Sequence, residues 1–123
     1  MEYDEETLKT ILIEHTITGQ EIKLIVSRDG LHLASHGLKE EEEDTFSAMC
    51  ATMYGAGETA YFATDREIPE YIELFSKNSR LLLIGAGEQS LIAVMVSSDT
   101  PKKSALAVIK KIADEVGKIE TNG

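Results

Sequence analysis

The sequence is short of several residue types, and each shortage excludes something. It has one cysteine, two prolines and no tryptophan, and only four tyrosines and three phenylalanines. A lone thiol at Cys50 allows no intrachain disulfide, which fits a reducing compartment. Cations are scarce as well: 12 Lys and Arg stand against 22 Asp and Glu, for a net charge of −10. Phosphate backbones are bound through Lys and Arg clusters, so this balance argues against a nucleic-acid partner. Anionic lipid surfaces attract basic segments and would repel this chain. No stretch reaches the roughly 18 uninterrupted apolar residues of a membrane span, so no membrane insertion is expected. The opening Met1-Glu2-Tyr3-Asp4-Glu5-Glu6 lacks the basic stretch and apolar core of a secretory signal, and cytoplasmic residence is the expectation.

What is present fits an ordinary foldable domain. At 123 residues, 42% hydrophobic and 28% charged, residues 1–123 read as one globular unit able to bury a core without staples. Leu8, Ile11, Leu12 and His15 follow the spacing of one helix face over residues 4–16, with Asp4 available as N-cap. Thr18-Gly19-Gln20 breaks that pattern. Ile22-Lys23-Leu24-Ile25-Val26-Ser27 is then dense in β-branched residues and reads as a strand. Asp29-Gly30 tolerates the positive φ of a two-residue hairpin turn, and Leu31-His32-Leu33-Ala34-Ser35 resumes as the second strand.

The acidic run at residues 40–44 suits a helix N-terminus, and a second helix is expected over residues 42–64. No charged residue occurs between Thr45 and Gly57, so this helix should be covered on more than one side. At 100° per residue, Phe46, Met49, Cys50, Met53, Tyr54 and Tyr61 share a bulky face. Ser47, Ala48, Ala51, Thr52 and Gly55 form a small one opposite. A lone surface helix would carry Lys and Glu on its outer side; an uncharged face of small residues lets a second helix approach closely, which predicts self-association there.

Three further β-like runs follow Pro69, at residues 71–76, 80–86 and 91–97, joined by turns short enough for an antiparallel meander. The last two are near-continuous apolar runs, expected in the middle of a sheet covered on both faces. Thr100-Pro101 reads as N-cap and first helical residue. Ala105, Ile109, Ile112, Ala113 and Val116 then trace an amphipathic stripe ending near Gly117, with a frayed polar tail beyond. The order is α-β-β-α-β-β-β-α.

No motif supplies catalytic chemistry. Gly85-Ala86-Gly87-Glu88-Gln89-Ser90 has the look of a dinucleotide loop, but Ser90 replaces the third glycine and strand rather than helix follows, so a hairpin turn is the better reading. His15, His32 and His36 lack the committed co-ligands of a tetrahedral metal site. Cys50 falls on an apolar helix face, unlike the electropositive, part-exposed setting of a catalytic thiol. Ser27, Ser35 and Ser90 sit in no nucleophile elbow. Neither a metal nor any other cofactor is called for, and the chain is not expected to be an enzyme.

Two strings, Ile25-Val26-Ser27-Arg28-Asp29-Gly30-Leu31-His32-Leu33-Ala34-Ser35 and Phe46-Ser47-Ala48-Met49-Cys50-Ala51-Thr52-Met53, together with the element order, resemble the roadblock family, related to dynein light chains and to prokaryotic regulators of Ras-like GTPases. The resemblance implies an α+β fold: a five-stranded antiparallel sheet with the first and last helices on one face and the second on the other. It further implies a homodimer built on the second helix and the third strand, the latter pairing with its twin through Tyr71, Glu73 and Phe75. A Ras-like small GTPase is the implied partner, with the chain as non-catalytic regulator or scaffold. The sequence departs from the family pattern at Asp99-Thr100-Pro101, where many members enter the last helix through glycine-leucine. The competing expectation is a small-ligand domain that holds a nucleotide or metabolite in a cleft near Gly85 to Ser90.

Overall fold

A computed structural model of the chain describes residues 4–17, 20–64 and 66–122. Helix α1 (Glu5–Glu14) starts at Asp4, whose side chain accepts from the Glu6 amide at 3.2 Å and from the Thr7 hydroxyl at 2.8 Å. The break expected at Thr18-Gly19 lies outside the described residues. Strands β1 (Gln20–Ser27) and β2 (His32–His36) form the first hairpin. Its turn is longer than the two-residue turn expected. The Ser27 amide donates to the Leu31 carbonyl and the Gly30 amide to the Ser27 carbonyl, each at 2.9 Å, so Arg28, Asp29 and Gly30 make a three-residue loop. Gly30, at φ +91°, takes the left-handed position such loops reserve for glycine.

A 3₁₀ turn (Glu40–Glu42) leads into α2 (Glu43–Ala63). Then come β3 (Ile72–Phe75), β4 (Ser79–Ala86), β5 (Ser90–Ser97) and α3 (Lys102–Asn122). The five strands form one antiparallel sheet in the order β2-β1-β5-β4-β3, so β1, β5 and β4 are interior and β2 and β3 are edges.

Alternation along the interior strands divides the core in two, because successive side chains point to opposite faces. Ile25, Leu82, Ile92, Val94 and Val96 meet Leu8, Ile11 and Leu12 of α1 and the full expected stripe of α3. Leu24, Val26, Leu81, Leu83, Leu91 and Ala93 meet Cys50 and Tyr54 of α2. The two-plus-one arrangement of helices about the sheet is therefore observed.

Helix α3 does not stop near Gly117 but runs on to Asn122. Gly117 lies against Gly87, where even an added Cβ would be 3.6 Å from the Gly87 nitrogen. One turn later Glu120 anchors the segment expected to fray, accepting from the Glu88 and Gln89 amides at 2.7 and 2.8 Å. Gly123 is outside the described residues.

Candidate interaction site

Helix α2 crosses its face of the sheet from the β1–β2 hairpin to the β3 edge. At the hairpin, a Cβ on Gly30 would lie 3.3 Å from the Ala48 Cα and 3.7 Å from the Ala51 Cβ. At the far side a Cβ on Gly57 would reach to 2.5 Å of the Ile72 Cδ1. Strand side chains are bulky on this face, so small helix residues must face them. Ser47 is fully buried, with its hydroxyl unpartnered. Cys50 is also fully buried, and Tyr54 reaches over Gly85, whose added Cβ would fall 2.8 Å from the Tyr54 hydroxyl.

The expected division of α2 into faces is thereby corrected. Ser47, Ala48 and Ala51, read as an outward small face, turn toward the sheet and its hairpin. Of the bulky face, Phe46, Cys50, Met53 and Tyr54 pack on the core as its bulk implies, whereas Met49 and Tyr61 are exposed. Thr52 is exposed and Gly55 half-buried, with open space where its Cβ would be. Between Thr45 and Gly57 the outer surface of α2 is thus Thr45, Met49, Thr52 and Ala56, flanked by half-buried Met53 and Gly55, and it stays uncharged.

Strand β3 hydrogen-bonds to β4 on one side, and among the described strands nothing pairs with its other side. Of the three residues expected to pair with a twin, only Phe75 is open, at 61% exposure. Tyr71 packs against the α1–α3 core with the Lys102 ammonium 5.7 Å from its ring centre. Glu73 is engaged on that same face by Arg80 and, at 3.7 Å, by Lys102. On the α2 side of β3 the open residue is Leu74. The eight expected interface residues therefore do not share one surface: on the α2 side Thr52 and Gly55 remain outward together with Met49, Phe62 and Leu74, while Phe75 is exposed on the opposite face of the sheet.

The cleft expected near Gly85 to Ser90 is occupied by the protein itself. On the α2 side, the Arg28 guanidinium and the Tyr54 hydroxyl both take the space a Cβ on Gly85 would need. On the α3 side, the Glu120 carboxylate sits within 2.6 Å of where a Cβ on Gly87 would be. The turn is a hairpin joining β4 to β5, with Gly87 at φ +68°. The shallow depressions beside it, about 330 and 430 Å³, are rimmed by charged residues such as Lys110, Asp114, Asp29 and Glu88. A larger cavity, about 520 Å³, lies elsewhere, between Ile17 and the start of α3 at Pro101, Ser104 and Val108.

No reactive group emerges among the described residues. Burial pushes the Cys50 thiol up to about 12, away from the thiolate a nucleophile needs. Tyr54 is raised too, first by burial and then by the Glu58 carboxylate, against the opposing pull of Arg28 and a hydrogen bond to Gly85. His15 contacts Glu115 at 3.1 Å and His32 contacts Ser35 at 2.8 Å. Among the described residues no group of three or more His, Cys, Asp or Glu is placed to hold a metal ion. Nor is any helix among them long and apolar enough to cross a membrane.

A family model described as the Roadblock/LC7 domain matches residues 17–96, more than half of the chain. The chain belongs to the Roadblock/LC7 domain family. The matched region of this roadblock domain holds the whole sheet up to Val96, all of α2 and the β4–β5 turn. Solved structures share its fold at low identity. A Roadblock/LC7 domain from Streptomyces avermitilis superposes with a TM-score of 0.86 at 18% identity, covering 97% of this chain and 99% of that one. Myxococcus xanthus MglB gives 0.86 at 15%, covering 99% and 93%. An MglB described as having a tetrameric arrangement gives 0.77 at 18%, covering 94% and 86%. No curated protein matches the sequence.

Two side chains of this roadblock domain organise the site without any signal in the spacing of the sequence. Arg28, in the first hairpin loop, donates through Nε to the Ser90 carbonyl at 2.9 Å and through Nη2 to the Gly87 carbonyl at 3.0 Å. Its Nη1 reaches both Glu58 oxygens at 3.1 and 3.2 Å, and the guanidinium lies 5.0 Å from the Tyr54 ring centre. Lys23 is buried on the opposite face, where its ammonium donates to the Leu12 carbonyl and, at 2.7 Å, to the His15 carbonyl. It thereby supplies the cation missing from the last turn of α1. Burial lowers its pKa. Only the Asp-Gly pair beside Arg28 marked its loop in advance; nothing in the strand pattern distinguished Lys23 from a solvated lysine.

Proposed function

We propose that this roadblock domain is a non-catalytic homodimeric regulator or scaffold that binds a Ras-like small GTPase and modulates its GTP hydrolysis, acting in the cytoplasm as a single-domain signalling component. Family membership supports the regulatory part, since roadblock domains are in general non-enzymatic regulatory modules. One observation carries the reading: the uncharged outer face of α2, with Met49 at 52% exposure, lies on the same side of the sheet as Leu74 on the edge strand β3, whose outer side pairs with no described strand. An apolar helix face beside an open strand edge is what a second copy covers economically, by adding strand to strand and helix to helix. An exposed edge left bare would invite indiscriminate pairing.

Sedimentation equilibrium on the wild type and on Met49→Glu and Leu74→Glu tests the dimer. Both substitutions fall at exposed positions, so the fold should hold while the dimer dissociates at least about 10-fold more readily, as a charge facing an apolar contact implies. A wild type that stays monomeric at high concentration sinks the dimer. Titration with nucleotide-loaded Ras-like GTPases from the same organism tests the partner, and a set in which none binds in either nucleotide state removes the regulator reading.

A further inference from the structure

The β4–β5 turn is gripped from both faces of the sheet at once. From the α3 face, one oxygen of Glu120 accepts the Glu88 and Gln89 amides at 2.7 and 2.8 Å. From the α2 face, Arg28 takes the Gly87 and Ser90 carbonyls at 3.0 and 2.9 Å, while its own amide donates to the Gln89 carbonyl at 2.9 Å. The amides of the turn thus belong to one helix layer and its carbonyls to the other. Both grips depend on glycine. A side chain at Gly87 would collide with the Glu120 carboxylate, and one at Gly85 would collide with Arg28 and Tyr54, each placed closer than 3.0 Å.

We propose that Glu120 and Arg28 form a clamp that couples the end of α3 to α2 through the β4–β5 turn, so that release of Glu120 loosens Arg28 from Glu58 and Tyr54. The physical route is short and continuous. Losing the carboxylate hands two amides of an exposed turn to water and removes the side-chain tie that holds the turn against α3, so the turn is freer to move. The carbonyls of Gly87 and Ser90 move with that peptide chain, and they hold two of the three nitrogens of Arg28. The third nitrogen holds Glu58, on the helix whose outer side is the proposed docking face, and the guanidinium rests over Tyr54 of that helix. Glu120 is a positioning residue in this scheme, acting on α2 through the turn and Arg28. The regulatory consequence rests on the docking role of α2 proposed above: whatever binds or displaces the end of α3 alters the presentation of α2, and by linkage a partner on α2 alters the hold on Glu120.

Hydrogen exchange on the free protein, read by NMR, tests the coupling without any GTPase. In Glu120→Ala, the Glu88 and Gln89 amides should exchange about 10-fold faster, and the Arg28 Nε–H at least about threefold faster, with a shift of the Tyr54 ring resonances. Glu120→Gln keeps an acceptor oxygen and should fall between. Arg28→Ala should act in reverse, speeding exchange at Glu88 and Gln89. The Leu24 and Ile25 amides in the core serve as the reference. The proposal is overturned if Arg28 and Tyr54 do not respond to Glu120→Ala, or if every amide, the reference pair included, speeds up equally. A domain that binds no GTPase but shows these responses loses the partner and keeps the clamp.

Discussion

Cys50 ties pH to stability in a direction opposite to that of a paired carboxylate. Its thiol ionises near 9.0 when unperturbed and is pushed up to about 12 by burial. Between those values the unfolded chain has lost a proton that the folded chain keeps, so stability falls as pH rises from about 9 toward about 12. Across that window the loss reaches about 4 kcal/mol, and about 1 kcal/mol should already be gone near pH 10. Comparing wild type with Cys50→Ala by urea unfolding at about pH 8 and about pH 10 isolates this contribution, because Lys23 and the other bases titrate alike in both. The advantage of the wild type should shrink by about 1 kcal/mol; a constant difference would mean that the thiol is less enclosed than its complete burial implies.

Helix α2 shows which part of an element can be read from its sequence. Its existence, its length to within a residue at each end, and its lack of charge were all legible, because they depend on composition and on local rules. Its rotation about its own axis was not. Ranking side chains by bulk sends Phe46, Cys50, Met53 and Tyr54 to the core, where they do pack, but also Met49 and Tyr61, which are exposed. Gly30 rises toward the helix and admits Ser47, Ala48 and Ala51 beside them, turning the inward side toward the small residues. Complementarity with a strand distant in sequence decides the facing, and no helical wheel contains it. The interior strands β4 and β5 were easier, since both faces are covered and an unbroken apolar run says so directly. Gly87 and Glu120 were missed together: a glycine in a hairpin needs no further explanation, and the helix was expected to have ended before its acidic partner.

Gly55 separates the folding of α2 from its docking. A Cβ there meets nothing within 4 Å, so Gly55→Ala adds helix propensity without a clash inside the chain. Thermal or urea unfolding should show a gain of about 0.5–1 kcal/mol. The same methyl group lies beside the outer face and narrows the approach of a second helix. Sedimentation of this variant should therefore show a more stable chain in a weaker dimer. If stability and dimer affinity rise together, the second copy is not packed closely at Gly55.

At the scale of the molecule, the net charge of −10 acts on association more than on fold. Two identical copies brought together must overcome mutual repulsion, and salt relieves it: the screening length falls from about 30 Å at 0.01 M to about 8 Å at 0.15 M. Homodimerisation should therefore tighten as salt rises across that range, the apolar contacts at Met49 and Leu74 being insensitive to screening. Docking of a basic partner on the same acidic molecule should weaken over the same range, since the attraction that steers it is screened. Sedimentation equilibrium in a series of salt concentrations distinguishes the two. A homodimer that loosens with salt would show that copies meet through Lys or Arg pairing with carboxylates, which the uncharged face of α2 cannot supply, and the interface would then have to be sought on another surface.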